Sequence, residues 1–527
     1  MGSMVFPQFR RAQHGVPLFE GTVLEHATKA GIVIASECGG KGTCGRCIVR
    51  VERGAECLGA QTPAEVAQGL GPAERLACQA MVVDPLGEIC IFVKDFGEYT
   101  IVSDRLETKA AFDPFVRREG DRVVNAVGGD LGPYRGRILG LAMDVGTTTL
   151  VMDVVDLEDG KLVGTAACKN PQIAYGNDVI SRIAHTMTHE NGLRELQDTL
   201  YRGIDESLQT LEAGHGPIRD RVYDVVGVGN STMRSIFMGQ PVDSLGVIPF
   251  EPFLLDAVSA TAGELGLALC ADATVYGPPL IGGHAGADAL ADILASGMYE
   301  DPQVNMLIDI GTNGEVALGN KDKIMTCSCA AGGAYEGATV GCGSGAIEGA
   351  IKNIAMNDGH VAFETIGDKP PVSVCGSGLI DLLAELLRSG KMTRKAKIDG
   401  EFSITNTLSI NQQDIYQLIT AKAGLRLDQD LLLKYYGVTL DQVGKLYLAG
   451  GFGSFVNPRS AVAIGLLPDA ADKVVRVGNA AVAGARQMLL SQAMRREGES
   501  LARRIQHTKP NEMEPEFPYL VADKMYF

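Results

Sequence analysis

Residues 141–149 read Leu-Ala-Met-Asp-Val-Gly-Thr-Thr-Thr, and the pattern returns at 306–314 as Met-Leu-Ile-Asp-Ile-Gly-Thr-Asn-Gly. Each time an apolar strand reaches an aspartate near its end, Asp144 or Asp309, and a tight turn follows: Gly146-Thr147-Thr148 or Gly311-Thr312-Asn313. Outward from the turns the order is shared as well. Strand 150–156, an Asp159-Gly160 turn and strand 161–167 follow the first; strand 315–318, a Gly319-Asn320 turn and strand 323–327 follow the second. Each half then carries helices and a further apolar strand that stops at glycine. These are 225–228 before Gly229-Asn230-Ser231-Thr232, and 446–449 before Gly450-Gly451-Phe452-Gly453. Strands alternating with helical stretches in two matching runs predict an α/β chain with a duplicated unit.

The chemistry of the turns favours a nucleotide cleft between the halves. Gly-Thr turns offer backbone N–H groups and hydroxyls to phosphate oxygens. An aspartate at a strand end can hold hydrated Mg²⁺, which keeps several waters. The AGGFG turn at 449–453 allows close approach of adenosine, and two facing loops can clamp the β- and γ-phosphates. One Asp-x-Gly-Thr alone is ordinary turn chemistry; two in register with AGGFG behind them make a pattern. That pattern resembles the superfamily of acetate and sugar kinases, actin and chaperone ATPases, with its two ribonuclease-H-like halves, over residues 139–506. The resemblance implies Asp144 and Asp309 as catalytic carboxylates. It places Gly146, Thr147 and Thr148 at the first phosphate loop, Gly311, Thr312 and Asn313 at the second, and Gly450, Gly451 and Gly453 at the adenosine. Glu315 is a weaker candidate. No Walker A sequence is present, which disfavours a P-loop enzyme.

The N-terminal part carries a second signal. Cys38, Cys44, Cys47 and Cys78 are spaced C-x5-C-x2-C-x30-C, the first three in a loop with Gly39, Gly40, Gly42 and Gly45. Four thiolates so spaced can wrap one [2Fe–2S] cluster. A zinc site on the same thiols is the alternative, but zinc sites prefer two C-x2–4-C pairs and one is present. A helix over 22–31, a strand at 47–52, the fourth cysteine within 75–80 and a closing strand at 88–93 complete the unit. It resembles a plant-type ferredoxin of the β-grasp fold, with a first gap of five residues where that pattern has four. Cys57 and Cys90 fall outside the spacing and are expected as buried thiols. Residues 1–95 are thus read as a ferredoxin-like domain, 96–138 as a charged linker with room for a small ordered element, and 139–304 and 305–527 as the ATPase halves.

Composition narrows the function classes. A net charge of −17 over 527 residues argues against nucleic acid as a partner. No apolar run is long enough to cross a membrane, and no secretory leader pattern stands at the N-terminus, so a cytoplasmic protein is expected. An iron–sulfur domain fused to this ATPase type resembles, over the whole chain, the reductive activators of corrinoid proteins. VVGVGNSTM (225–233), GGHAGADALA (282–291), SCAAGGAYEGA (328–338) and VCGSGLIDLLAEL (374–386) add to the match. TVGCGSGAI at 339–347 departs from it by its glycine content, and no Cys after Cys375 excludes the related group with C-terminal [4Fe–4S] motifs. The resemblance implies a [2Fe–2S] cluster, ATP and Mg²⁺, and a homodimer. It also implies a corrinoid protein of a methyltransferase system as partner and an upstream electron donor of unknown identity. The implied activity is ATP-dependent transfer of one electron from the cluster to Co(II), regenerating Co(I). Two rivals are a small-molecule kinase of the superfamily with a redox-sensing ferredoxin domain, and a plain electron-transfer protein. The first lacks a sugar-kinase substrate motif; the intact DVGTTT, DIGTNG and AGGFG turns count against the second.

Other residues have plainer readings. Cys327, Cys329, Cys342 and Cys375 lie in apolar, glycine-rich segments and read as core thiols. His284 could serve as a cobalt ligand or acid–base group, but a turn histidine is more often structural or solvated; Asp288 either caps a helix, the default, or faces the cleft. Residues 479–506 read as one helix with a charged end. The final PEFPYLVADKMYF is expected to dock on its own domain or at a dimer interface.

Overall fold

A computed structural model describes residues 2–7, 15–32, 34, 40–43, 45, 47–93, 111–330, 332–337, 339–357, 360–451 and 453–527. The first strands are β1 (Ser3–Val5), β2 (Val16–Pro17), β3 (Ile48–Arg53), β4 (Glu74–Leu76) and β5 (Glu88–Val93), with helices α1 (Val23–Lys29) and α2 (Pro63–Ala67). They form a sheet of order β2-β1-β5-β3-β4, in which β1 and β5 run parallel. This is the expected β-grasp unit. Thr22 starts α1 through a capping box with Glu25, and Val23 and Ala27 pack onto Val49, Leu76, Ile89 and Ile91.

The segment expected as a linker carries the small ordered element that its sequence leaves room for. Its residues 96–110 lie outside the described residues, but β6 (Val116–Glu119), β7 (Arg122–Asn125) and β8 (Asp130–Pro133) make an antiparallel sheet. Val116, Val123 and Leu131 anchor this sheet in the ATPase core. Its outer side is charged, which is why the sequence reads as a linker.

In the first half, β9 (Leu139–Val145), β10 (Thr149–Asp156) and β11 (Leu162–Lys169) are antiparallel neighbours. Helices α3 (Val179–Thr188) and α4 (Gly192–His215) lead to β12 (Val222–Val228), which pairs parallel with β9. After α5 (Ser231–Phe237), β13 (Val258–Thr261), α6 (Ala262–Leu265) and β14 (Thr274–Gly277) complete the order β11-β10-β9-β12-β14-β13, and α7 (Ala287–Ser296) follows. In the second half β15 (Asn305–Ile310), β16 (Asn313–Gly319) and β17 (Ile324–Ala330) repeat the meander. Next come β18 (Ala350–Asn357), β19 (His360–Thr365), β20 (Ser373–Val374), α8 (Gly376–Arg388), β21 (Phe402–Ser403), β22 (Ser409–Ile410) and α9 (Gln412–Tyr436). Then β23 (Leu446–Ala449) pairs parallel with β15, and β24 (Val474–Gly478) with β23. Both sheets therefore run third, second, first, fourth strand and then a further strand parallel to the fourth, β14 or β24, the duplication expected from the turns.

The central strands are buried on both faces, so they read as continuous apolar runs. Leu139, Leu141, Met143 and Val145 face α4, while Ala142 faces the other way into a layer shared by the halves. That middle layer is made by α7 and α11 (Ala480–Leu490), with α10 (Pro458–Ala463) between β23 and β24 in sequence. The two helices cross tightly: a Cβ at Gly484 would stand 2.2 Å from the Ala291 carbonyl oxygen. The single helix expected over 479–506 is two, α11 and α12 (Gln492–Arg504). Ser491 between them is extended and pairs with Asp113, whose backbone bonds to Leu490 and Gln492 at 2.9 Å each. Two ion pairs fix these helices to the first-half sheet: Arg495–Asp224 at 2.5 Å and Arg486–Asp153 at 2.7 Å.

After β25 (Gln506–His507) and α13 (Pro510–Met513), helix α14 (Phe517–Lys524) packs on α9. Lys524 pairs with Asp430 at 2.6 Å, and Lys422 Nζ donates to Tyr526 O at 2.9 Å. Of the two expected placements of this segment, docking on its own domain is the one found. No helix among the described residues is long and apolar enough to cross a membrane.

Candidate nucleotide and cluster sites

The two Gly-Thr turns face each other across a cleft of about 1040 Å³ including its mouth, the size of a small-molecule site. Asp144, Gly146, Thr147 and Thr148 line one wall, and Asp309, Gly311, Thr312, Asn313 and Glu315 the other. Thr148 Oγ1 and Thr312 Oγ1 stand 2.6 Å apart, and the Thr312 hydroxyl donates onward to the Glu336 carboxylate. Gly450 and Gly451 close the second wall. A Cβ at Gly450 (φ +114°) would meet Ile310 O at 2.5 Å and Asp309 Oδ1 at 2.9 Å, so this turn needs glycine. Gly453 does not line the cleft; its N–H donates to Gly450 O at 3.0 Å and props the turn from behind. Phe452 lies outside the described residues.

Several lining residues were not singled out from the sequence. Asn479 caps α11 and donates Nδ2 to Asp144 Oδ2 at 3.0 Å, so a residue 335 positions away orients that carboxylate. Asn230 Nδ2 donates to Thr147 Oγ1 at 2.9 Å. Glu336 sits inside the quoted SCAAGGAYEGA, and Asn230 inside VVGVGNSTM, so those segments carried the signal. Of the two readings of Asp288, capping is not the one found, since Gly286 is the N-cap of α7. Asp288 faces the cleft while accepting from Ala289 N at 2.8 Å. His284 lies off the cleft, near Phe250, Lys509 and Glu251.

The cleft is crowded with acid. Burial pushes Asp144 up to about 7; the Asn479 hydrogen bond opposes this, and the Asp309 and Glu336 charges add to it. Burial, then the Asp144 charge, raises Asp288 to about 8. Burial is also the main cause of the upward shifts of Asp309, Asp292 and Glu315. No lysine, arginine or histidine is among the described lining residues. The buried Asp292 carboxyl lies against that of Asp309, and among the described residues it has no basic or amide partner, so the pair needs a shared proton or a cation. Such a site calls for cationic compensation. Among the described residues no group of three acidic, histidine or cysteine side chains could hold a metal ion directly.

In the ferredoxin-like unit, Cys47 Sγ and Cys78 Sγ are both buried and 3.3 Å apart, too far for a disulfide. Gln79 Nε2 donates to Gly40 O at 2.6 Å, tying the loop of Gly40, Gly42 and Gly45 to the Cys78 turn. Two converging buried thiols fit half of a four-thiolate cluster site; Cys38 and Cys44 lie outside the described residues. Cys57 and Cys90 are buried, as are Cys327, Cys342 and Cys375, with Cys329 partly so.

Comparison with known proteins agrees with this layout. Residues 17–83 match the 2Fe-2S iron-sulfur cluster binding domain, 139–301 the RACo middle region, and 303–526 the C-terminal domain of RACo, the ASKHA domain. The corrinoid activation enzyme RamQ of Eubacterium limosum is 33% identical over 385 residues, 67% of this chain and 64% of that protein. The [Co(II) methylated amine-specific corrinoid protein] reductase of Methanosarcina barkeri is 24% identical over 386 residues, 67% of this chain and 70% of that one. The chain thus spans just under two thirds of RamQ. A solved structure of a reductive activator for corrinoid, iron-sulfur protein superposes with a TM-score of 0.76 at 28% identity, covering 100% of this chain and 98% of that one. With these domains come the cofactors expected from the sequence, a [2Fe–2S] cluster in the first and ATP in the ASKHA cleft. A cluster domain, a RACo middle region and a RACo ASKHA domain in this order make the chain a member of the RACo family.

Proposed function

We propose that the chain is an ATP-dependent reductive activator of a corrinoid protein of a methyltransferase system. It takes one electron from an upstream donor and passes it to a Co(II) corrinoid, regenerating Co(I). One observation carries the reading: a single chain joins the paired thiols Cys47 and Cys78 to a cleft in which two phosphate turns meet through Thr148 and Thr312. When bound by Cys38, Cys44, Cys47 and Cys78, the [2Fe–2S] cluster supplies one-electron chemistry near about −400 mV. For an acceptor about 200 mV lower, transfer is uphill by roughly 4.7 kcal/mol, at ~1.4 kcal/mol per 59 mV.

The chain's own residues divide the remaining work. Asp144 and Asp309 take up the hydrated Mg²⁺ of the nucleotide. Gly146, Thr147 and Thr148 hold phosphates from one side, and Gly311, Thr312 and Asn313 from the other. Gly450 and Gly451 admit the adenosine, with Gly453 behind them. Phosphates entering between the turns replace the Thr148–Thr312 bond and reset the two halves. That change alters how tightly the Co(II) partner is held, to the extent that the partner distinguishes the two states. A homodimer in the cytoplasm belongs to the same proposal.

The test is ATP hydrolysis measured alone, with a Co(II) corrinoid protein, and with acetate or sugars, beside Co(I) formation followed by absorbance. Stimulation by the corrinoid protein alone and ATP-dependent Co(I) formation are expected. Equal Co(I) at fixed reductant with and without ATP removes the coupling. Stimulation by acetate or a sugar favours a kinase instead.

A further inference from the structure

Behind the first phosphate turn lies a buried polar layer of Asn170, Gln172 and Arg182, each at most 1% exposed. It ties back three consecutive carbonyls. Asn170 Nδ2 donates to Gly146 O at 2.9 Å, Arg182 Nη2 to Thr147 O at 2.7 Å, and the Asn170 backbone N–H to Thr148 O at 2.7 Å. A trans peptide carries its C=O and N–H on opposite edges. The N–H groups of Thr147, Thr148 and Thr149 are therefore turned the other way, toward the cleft these residues line. A run of N–H groups so presented is an anion site.

Arg182 brings a positive charge into this layer with no ion-pair partner among the described residues. Its remaining bonds go to neutral acceptors: Gly176 O, Gln172 Oε1 and Met233 Sδ, each at 3.1 Å. Burial pulls its pKa down to about 9, with the Asp178 charge opposing. An unpaired buried charge is destabilising in the empty protein, and a polyanion across the turn offsets it. Resting on the nucleotide reading of the cleft, we propose that Arg182 is a positioning residue for the polyphosphate. It locks the first turn with its N–H groups forward and supplies from behind the positive potential that the cleft walls lack.

The experiment compares binding of ATP and of adenosine, both with Mg²⁺, by calorimetry on the full cluster-loaded chain. Gln172→Glu places a carboxylate where the amide oxygen accepts from Arg182 Nη1 at 3.1 Å. It neutralises the guanidinium in place and keeps the bond to Thr147 O, losing the donation from Gln172 Nε2 to Leu196 O (2.9 Å). ATP affinity is expected to fall about ten-fold, with adenosine affinity within about two-fold. Arg182→Met, which removes charge and bond together, is expected to weaken ATP binding at least as much. Wild-type ATP affinity in either folded variant, or a parallel loss for adenosine, overturns the inference. Failure of the unaltered chain to bind ATP overturns the nucleotide reading instead.

Discussion

Asp144→Asn is predicted to stabilise the empty protein at alkaline pH while abolishing ATP turnover. The substitution keeps shape and partner, since the new amide oxygen still accepts from Asn479 Nδ2, 3.0 Å away in the unaltered cleft. What it removes is a charge that burial, opposed by that bond and aided by Asp309 and Glu336, allows to form only near pH 7. In the unfolded chain the same carboxyl ionises near 3.9. Between about pH 4 and 7 the folded protein thus holds a proton that the unfolded chain has released, so stability falls as pH rises through that window. A shift of about 3 units at ~1.4 kcal/mol each sets an upper limit of ~4 kcal/mol, felt fully above pH 7 and absent below pH 4. Asp288 feels the Asp144 charge strongly, and Glu315 feels it too. Both relax in the variant, so a gain of ~2–4 kcal/mol at pH 8 is expected. The chain has no tryptophan, so urea unfolding is followed by far-UV circular dichroism, without nucleotide or Mg²⁺, at pH 8 and pH 5. The variant should resist urea better at pH 8, and the difference should shrink by more than half at pH 5. The cluster's visible spectrum should stay unchanged. Equal or lower stability at pH 8, or a difference that grows toward pH 5, refutes the reasoning.

Other consequences can be measured on the same preparation. Cys78→Ser should remove the cluster's absorbance yet leave ATP affinity within about two-fold, because the thiol pair and the cleft belong to separate units. Gly450→Val should abolish nucleotide binding in calorimetry, since its side chain would press on Ile310 O and Asp309 at a φ of +114°; retained binding would show that the turn can give way. Asp224→Ala leaves the Arg495 guanidinium buried without its carboxylate, a loss of about 3–5 kcal/mol visible in urea unfolding. A cost under about 1 kcal/mol there would mean that α12 is held by packing alone.

The parts of the fold legible in the sequence are those where a local pattern and the tertiary role coincide. DVGTTT and DIGTNG carry strand, turn and phosphate chemistry in a few adjacent residues, so the sheet duplication and both cleft walls could be read from them. What stayed hidden depends on long-range pairing. Nothing near Ser491 forbids helix; Asp113 stops it by pairing with its backbone. The strands of 116–133 cover their own charged outer face with nothing and hide three apolar anchors among eighteen residues, a ratio that looks like a linker. Asn170, Arg182 and Asn479 act on the phosphate turn and on Asp144 from other elements, and no spacing rule links them. Gly453 shows the opposite case: it belongs to the same motif, yet its N–H supports Gly450 and it does not line the cleft.

The join between the two units bears on how a nucleotide could influence electron delivery. Phe92, near the end of β5, is 8% exposed because it packs on Ile347, Ala350, Ile366 and Cys375 of the second half. Arg50 covers its ring at 4.7 Å and donates to Val372 O at 3.3 Å. The surface beneath them is also cleft wall. Ala346 packs against the Phe92 cluster and lines the nucleotide cleft, with Gly345 and Gly376 beside it. Backbone bonds of Ser344 N to Val374 O (3.0 Å) and Val374 N to Cys342 O (2.8 Å) bridge the 342–344 segment to β20. Close-packed groups transmit displacement, so a shift of the wall at Ala346 reaches the seat of Phe92 without a long path. Burying a phenylalanine contributes about 1.5–3 kcal/mol, small enough for a ligand of modest differential affinity to reverse the docking. The glycine-rich stretch 339–347, which departs from the pattern of the corrinoid-protein activators, meets both the cluster domain and the cleft, as does 372–376.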